Sequence, residues 1–231
     1  MEKLGNKYIV IGDIHGRTVW KQLTKYLDEG YVLLFLGDYF DTHDSISLPE
    51  IHYNFLNIIA LKEESPNQVI MLVGNHDYSY LNPNGVCSGY NSYTQSFVTE
   101  HIELFKKNLK LVHCDGNLLF SHAGVTQTFL DLNGIKLDDL KILEIDDDRL
   151  AFKNLTTACD LSGDNIYQSP IWVRPYSLSG DYVKGFKQIV GHTPVPLKDT
   201  WHFEETIYLN DRLDINQYMK VENDKFSLLN I

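Results

Sequence analysis

The sequence predicts an α/β fold built around a parallel sheet, and three observations carry that prediction. Residues 8–11, 32–36 and 69–73 are continuous apolar runs rich in Val, Ile and Leu, as expected of strands buried on both faces. Amphipathic helical patterns separate these runs, and such a β-α-β-α-β alternation implies parallel neighbours with right-handed crossovers. Five apolar runs, these three and those at 118–120 and 188–190, end in a short cluster of polar residues. Strands that repeatedly deliver Asp, His or Asn at their carboxyl ends build one shared site, since ligands bind at that edge of open α/β sheets.

Residues 17–28 read as the first helix, with Val19, Trp20, Leu23 and Leu27 at spacings of three and four. Residues 48–64 make a stronger one: Ser47 suits the N-cap, Pro49 the first turn, and Ile51, Phe55, Ile58, Ile59 and Leu61 form a stripe. Residues 78–93, rich in Asn, Gly, Ser and Tyr, read as a loop with a turn at Asn82-Pro83-Asn84-Gly85. A helix is expected over 97–107, then strands over 109–113 and 117–121 joined at Asp115-Gly116, a hairpin signal. Residues 125–168 contain no ligand-type cluster and read as an inserted cap near the site, or equally as helices covering the sheet. Strands over 188–190, 206–209, 217–221 and 226–229 complete the chain. With no repeat, low-complexity tract or linker, residues 1–231 are expected to form a single domain.

Composition narrows the function classes. A hydrophobic fraction of 43% and a charged fraction of 22% are ordinary for a globular protein. No apolar stretch approaches the ~20 residues of a membrane span, and residues 1–7 lack the apolar core of a signal peptide. Cys87, Cys114 and Cys159 are odd in number and widely spaced, which fits reduced thiols in the cytoplasm better than disulfides or a thiolate zinc site. The net charge of −11, without a Lys/Arg cluster, argues against an extended nucleic acid lying across the surface. A small anionic substrate stays compatible, because two divalent cations would offset ~4 negative charges within the site.

The clusters are Gly12-Asp13-Ile14-His15-Gly16, Gly37-Asp38-Tyr39-Phe40-Asp41, Gly74-Asn75-His76-Asp77, Ser121-His122-Ala123-Gly124 and Gly191-His192-Thr193-Pro194. Each residue alone has an ordinary reading as a turn residue or a satisfied histidine, but five such clusters at strand ends are not five independent turns. Asp, His and Asn without thiolate suit Mn, Fe, Zn or Co. Asp13 and His15, two apart on one turn, can grip one ion. Asp38 leaves a neighbouring strand and can bridge two ions, with Asn75, His122 and His192 completing the second. Two ions ~3.5–4 Å apart can share a water and lower its pKa toward neutrality.

These five blocks, in this order over residues 8–196, resemble the calcineurin-like metallophosphoesterases, most closely the phosphoprotein-phosphatase branch with its bacterial, phage and diadenosine tetraphosphatase-like members. The resemblance implies a four-layer α/β/β/α sandwich with the metal site at the strand carboxyl ends. It implies two divalent ions, Mn first among them, and the same six ligands: Asp13, His15, Asp38, Asn75, His122 and His192. It further implies that His76 is the general acid, oriented by Asp41, and that the substrate is phosphorylated: a phosphoprotein, a nucleotide or a small metabolite.

The match breaks in three places. The second block usually continues Asp-Arg-Gly, where this chain has Asp41-Thr42-His43; an Arg usually precedes the third block, where Val73 stands; and that block usually ends in Glu, here Asp77. The two missing arginines normally grip phosphate, a bidentate contact not readily replaced. Among four arginines, Arg174, in Trp172-Val173-Arg174, and Arg17, directly after the first block, are the candidates for that task. Tyr78, Tyr80, Tyr90 and Tyr93 could stack on a nucleobase, although loop packing is the commoner use. The expected function is metal-dependent phosphoester hydrolysis. The alternatives are a diadenosine tetraphosphatase-like nucleotide hydrolase and a non-catalytic binding protein of the same fold. A nuclease is disfavoured by the single His of the fifth block.

Overall fold

The computed structural model describes residues 7–82, 87–154, 163–194, 202–203 and 205–231. Cys159 and residues 83–85 of the expected turn lie outside this set. Strands β1 (Lys7–Ile11), β2 (Val32–Phe35), β3 (Val69–Leu72) and β4 (Leu109–Lys110) are successive parallel neighbours. Later in the chain, β10 (Gln217–Glu222) adds antiparallel to β1, and β11 (Lys225–Asn230) adds to β10. The second sheet has the order β5-β6-β7-β9-β8, from β5 (Val112–Asp115), β6 (Leu118–Ser121), β7 (Lys187–Pro194), β8 (His202–Phe203) and β9 (Ile207–Asp211). In it β6, β7 and β9 are parallel, and β5 and β8 are antiparallel edges.

Period-two alternation explains why two sheets stack. Tyr8, Val10, Leu34, Leu36 and Leu72 leave one face of the first sheet and meet Leu118, Phe120, Ile189 and Tyr208 of the second in a core of their own. The intervening residues Ile9, Ile11, Leu33, Phe35 and Met71 face the other way, into a core shared with α2 (Leu48–Glu64). The far face of the second sheet, Val190, Ile207 and Leu209, packs on Leu178 of α7 (Pro175–Asp181). Helix, sheet, sheet and helix therefore follow one another, as the family resemblance implies.

Helix α2 has the expected limits, with the Ser47 N–H and hydroxyl both bonded to Glu50 (3.0 and 2.6 Å). The first expected helix is instead a 3-10 turn, Val19–Leu23, followed by the short α1 (Lys25–Asp28). At the break the Thr24 hydroxyl donates to the Lys21 carbonyl (2.9 Å), a local bond that competes with helix propagation. The loop expected from residue 78 starts later, because α3 (Asn75–Leu81) takes in Tyr78 and Tyr80, and α4 (Ser92–Glu100) begins before the expected helix. The Asp77 carboxylate accepts the Gly74 N–H (2.8 Å) and so caps α3 from within its first turn. The expected 97–107 helix divides between α4 and α5 (Ile102–Asn108) at His101. The strand expected over 109–113 also divides: β4 closes the first sheet and β5 opens the second, so the chain changes sheet at Leu111. Its sequence, Leu109-Lys110-Leu111-Val112-His113, has no glycine, proline or turn residue to mark that step. Residues 127–133 form α6 (Gln127–Asn133), and Phe129, Leu130, Leu140, Ile145 and Leu150 of the 125–168 region pack in the main core.

Candidate metal centre

The loops after β1 and β2 are fastened to each other. The N–H groups of Ile14, His15 and Gly16 donate to the carbonyls of Gly37, Asp38 and Tyr39 (3.3, 2.7 and 3.2 Å). The fully buried Asp77 ties β3 to the same place: its carboxylate accepts from the N–H groups of Asp38, Tyr39 and Gly74, each at 2.8 Å. This clamp holds an unusual backbone. His15, Asp38, Asp41 and His192 all have left-handed conformations, with φ of 44°, 53°, 57° and 64°. Such conformations cost about 1–3 kcal/mol each in non-glycine residues and persist only where surroundings enforce them. Two glycines clear space for the side chains: a Cβ at Gly74 would collide with Asp38 Oδ1, and one at Gly191 with Asp13 Oδ1.

Asp13, His15 and Asp38 offer ligand atoms that all lie within 4.8 Å of one another, a group able to hold a metal ion. His15 Nδ1 faces the carbonyls of Phe40 (3.0 Å) and Asp41, so it carries the proton and Nε2 presents a lone pair, 3.9 Å from Asp38 Oδ2. His122 repeats the arrangement: Nδ1 donates to the Leu36 carbonyl (2.9 Å), and Nε2 faces Asn75 Oδ1 (2.8 Å) and Asp38 Oδ2 (3.4 Å). Asn75 Oδ1 also lies 2.9 Å from His192 Nδ1, and the buried His192 Nε2 has no hydrogen-bond partner among the described residues. Burial holds His15, His122 and His192 below the usual imidazole range and keeps them neutral. A neutral His122 therefore points a lone pair at two oxygens that also offer lone pairs. That meeting is repulsive unless a cation lies between them, so the donor set fits metal binding. Burial opposes ionisation of Asp38, and the positive charge of the neighbouring His76 favours it.

His76 stands beside this cluster, edge-on to the His15 ring at 5.3 Å between centroids. Its Nδ1 bonds to Asp41 Oδ2 (3.1 Å), and its backbone N–H donates to Asp38 Oδ1 (2.9 Å). Burial opposes a charge on His76, but Asp38 and Asp41 outweigh it and bring the group up to about 9. The second Asp41 oxygen accepts from the Tyr80 hydroxyl. Arg174, the residue just before α7, donates to the His192 carbonyl (3.2 Å) and the Thr193 hydroxyl (3.1 Å) at the edge of the cluster. Arg17 lies close to His15 and pairs with Asp44 (2.9 Å).

Sequence reasoning missed three residues here. Asp77 appeared only as a departure from the family's Glu; its position three after Gly74, at the start of a helix, signals a cap. Tyr80 was read with Tyr78, Tyr90 and Tyr93 as able to stack on a nucleobase, with packing the commoner use, and packing is what three of them do. Tyr80 is buried on Asp41, Tyr78 is buried with its hydroxyl on the Asp147 carbonyl (3.1 Å), and Tyr90 stacks on Tyr80. Its spacing of four from His76 on α3 was the available signal. Asp211 ends β9 at the same sheet edge, where burial, Asp38 and Asp214 push its carboxyl up to about 7 against the pull of Arg17 and Arg174. It was missed because the strand was ended at residue 209.

A family model described as calcineurin-like phosphoesterase matches residues 7–219. The chain belongs to that family. It is accordingly a metal-dependent hydrolase of phosphoric ester bonds. Solved structures share the fold at low identity. A cold-active protein-tyrosine phosphatase of a psychrophilic Shewanella species aligns with a TM-score of 0.60 and 17% identity, over 97% of this chain and 80% of that one. A protein serine/threonine phosphatase from Saccharomyces cerevisiae, with similarity to human phosphatase PP5, aligns with a TM-score of 0.64 and 14% identity, over 99% of this chain and 81% of that one. No curated protein sequence matches. Among the described residues, no helix is long and apolar enough to cross a membrane.

Proposed function

We propose that the protein is a dinuclear metallophosphatase with Asp38 between its two half-sites and His76 as proton donor. One observation carries this reading: Asp38 Oδ2 stands 3.4 Å from His122 Nε2 on one side and 3.9 Å from His15 Nε2 on the other. Asp13 and His15 would hold the first cation, and Asn75, His122 and His192 the second. Mn²⁺ is the proposed occupant, since an oxygen and imidazole set without thiolate accepts it readily. Two such cations supply an activated water at neutral pH and charge neutralisation for the phosphoryl oxygens.

The chain's own residues do the rest. His76 keeps its Nδ1 proton on Asp41, so its Nε2–H is the proton available to the departing alkoxide. Tyr80 fixes Asp41 in the orientation that this requires. Arg174 supplies positive charge for substrate phosphate at the rim, and Arg17 a second charge that is shared with Asp44. The substrate class proposed is a phosphate monoester. The experiment is to strip the protein of metal, add back Mn²⁺ and assay p-nitrophenyl phosphate, bis-p-nitrophenyl phosphate, phosphopeptides and dinucleoside polyphosphates. Mn²⁺-dependent turnover, fastest on monoesters, is expected; none on any of them would refute the reading.

A further inference from the structure

The loop before α4 brings Cys87 against Asn75. The Cys87 Sγ lies 3.2 Å from the Asn75 backbone carbonyl and donates to it, and it accepts from the Asn75 side-chain Nδ2 at 3.6 Å. One thiol thus holds one residue at two points. At the other end of the same carboxamide, Oδ1 lies between His122 Nε2 and His192 Nδ1 (2.8 and 2.9 Å).

The two ends of an asparagine side chain have nearly the same shape and opposite hydrogen-bonding character. Only the oxygen can ligate a cation. In the metal-free protein the opposite orientation has a local attraction, because a flipped Nδ2–H would donate to the His122 Nε2 lone pair. A flipped carboxamide would also turn Oδ1 toward the Cys87 sulfur, which is an acceptor there because its S–H is directed at the Asn75 carbonyl. We infer that Cys87 is a positioning residue: its thiol selects the Asn75 orientation that presents oxygen to the histidines. The inference rests on the reading of Asn75 as a cation ligand. It also accounts for a thiol beside the cluster without making it a ligand. Burial and the nearby Asp38 push Cys87 up to about 12, so it stays a neutral S–H.

The test is calorimetric titration of Mn²⁺ into metal-stripped protein, for wild type, Cys87→Ala and Cys87→Ser. Wild type is expected to bind two ions. Cys87→Ala should weaken one of them ~10–100-fold, the usual effect of removing a group that orients a ligand, and leave the other unchanged. Cys87→Ser, whose hydroxyl also donates and accepts, should remain within about threefold of wild type. Two wild-type affinities in Cys87→Ala, or equal losses in both variants, would overturn the inference. Absence of Mn²⁺ binding by wild type would instead remove the metal reading beneath it. Should Cys87→Ala not fold, the rate at which a thiol reagent labels Cys87 in a Cys114→Ser, Cys159→Ser background supplies the readout. Mn²⁺ should slow the labelling, and an unchanged rate would overturn the inference.

Discussion

His76 is held from three directions: by Asp41 at Nδ1, by Asp38 at its backbone N–H and by the perpendicular His15 ring. A general acid so placed contributes ~10²–10⁴-fold to rate. His76→Ala should lose that much turnover of p-nitrophenyl phosphate while bound Mn²⁺, measured by elemental analysis, stays at the wild-type level. Loss of the metal in step with activity would make His76 a structural residue instead. Most of these side chains were legible from sequence, because ligand chemistry restricts residue type and each lies within a few positions of a strand end. Tyr80 and Asp211 were not. Tyr80 acts through Asp41, 39 positions away, and its spacing of four from His76 on α3 was the one local sign of that role. The place of Asp211 at the site edge depends on where β9 ends, which alternating hydrophobicity sets only to within a residue or two.

The strands deliver the site, but the loops after them need Asp77 to hold their left-handed backbones. Asp77→Ala would strand three buried N–H groups, those of Gly74, Asp38 and Tyr39. A loss on the order of 3 kcal/mol or more is expected in chemical denaturation of the metal-free protein. A change below 1 kcal/mol would show that water or neighbouring groups replace the carboxylate. Strand β5 carries a separate pH-sensitive contact. Tyr8 of the first sheet donates to Asp115 (2.8 Å) and meets His113 Nε2 (3.1 Å) in the second. Burial, then Lys110, pulls His113 down to about 4, although Asp115 opposes this. Unfolded histidine titrates near 6.5. As pH falls from 6.5 toward 4 the unfolded chain takes up a proton that the folded chain refuses, so stability declines over that window. The melting temperature of His113→Gln should therefore fall less than that of wild type from pH 7 to pH 4.5, both measured without metal. Parallel curves would contradict this. The elements themselves were legible wherever period and cap agreed, as in α2. They were illegible where a side chain redirected the backbone: Thr24 ending a turn, Asp77 starting a helix, and the unmarked change of sheet at Leu111.

At the scale of the molecule, the two stacked sheets bring β1, β2 and β3 from one side and β6 and β7 from the other to a common edge. The sequence foretold the convergence but did not show that the ligand strands come from two sheets. Cations bound across that edge would tie the sheets together and stabilise the native state by mass action, by about 2.7 kcal/mol at a free concentration of 100 times the dissociation constant. Chelation should consequently lower the melting temperature, and an unchanged value would mean that no cation is bound. The most direct test of the central claim is the electron paramagnetic resonance spectrum of the metal-stripped protein reloaded with Mn²⁺. A dinuclear centre bridged through Asp38 predicts two ions per chain with an exchange-coupled spectrum that Asp38→Ala abolishes. A single ion per chain, or two ions giving isolated Mn²⁺ signals in the wild type, would contradict it.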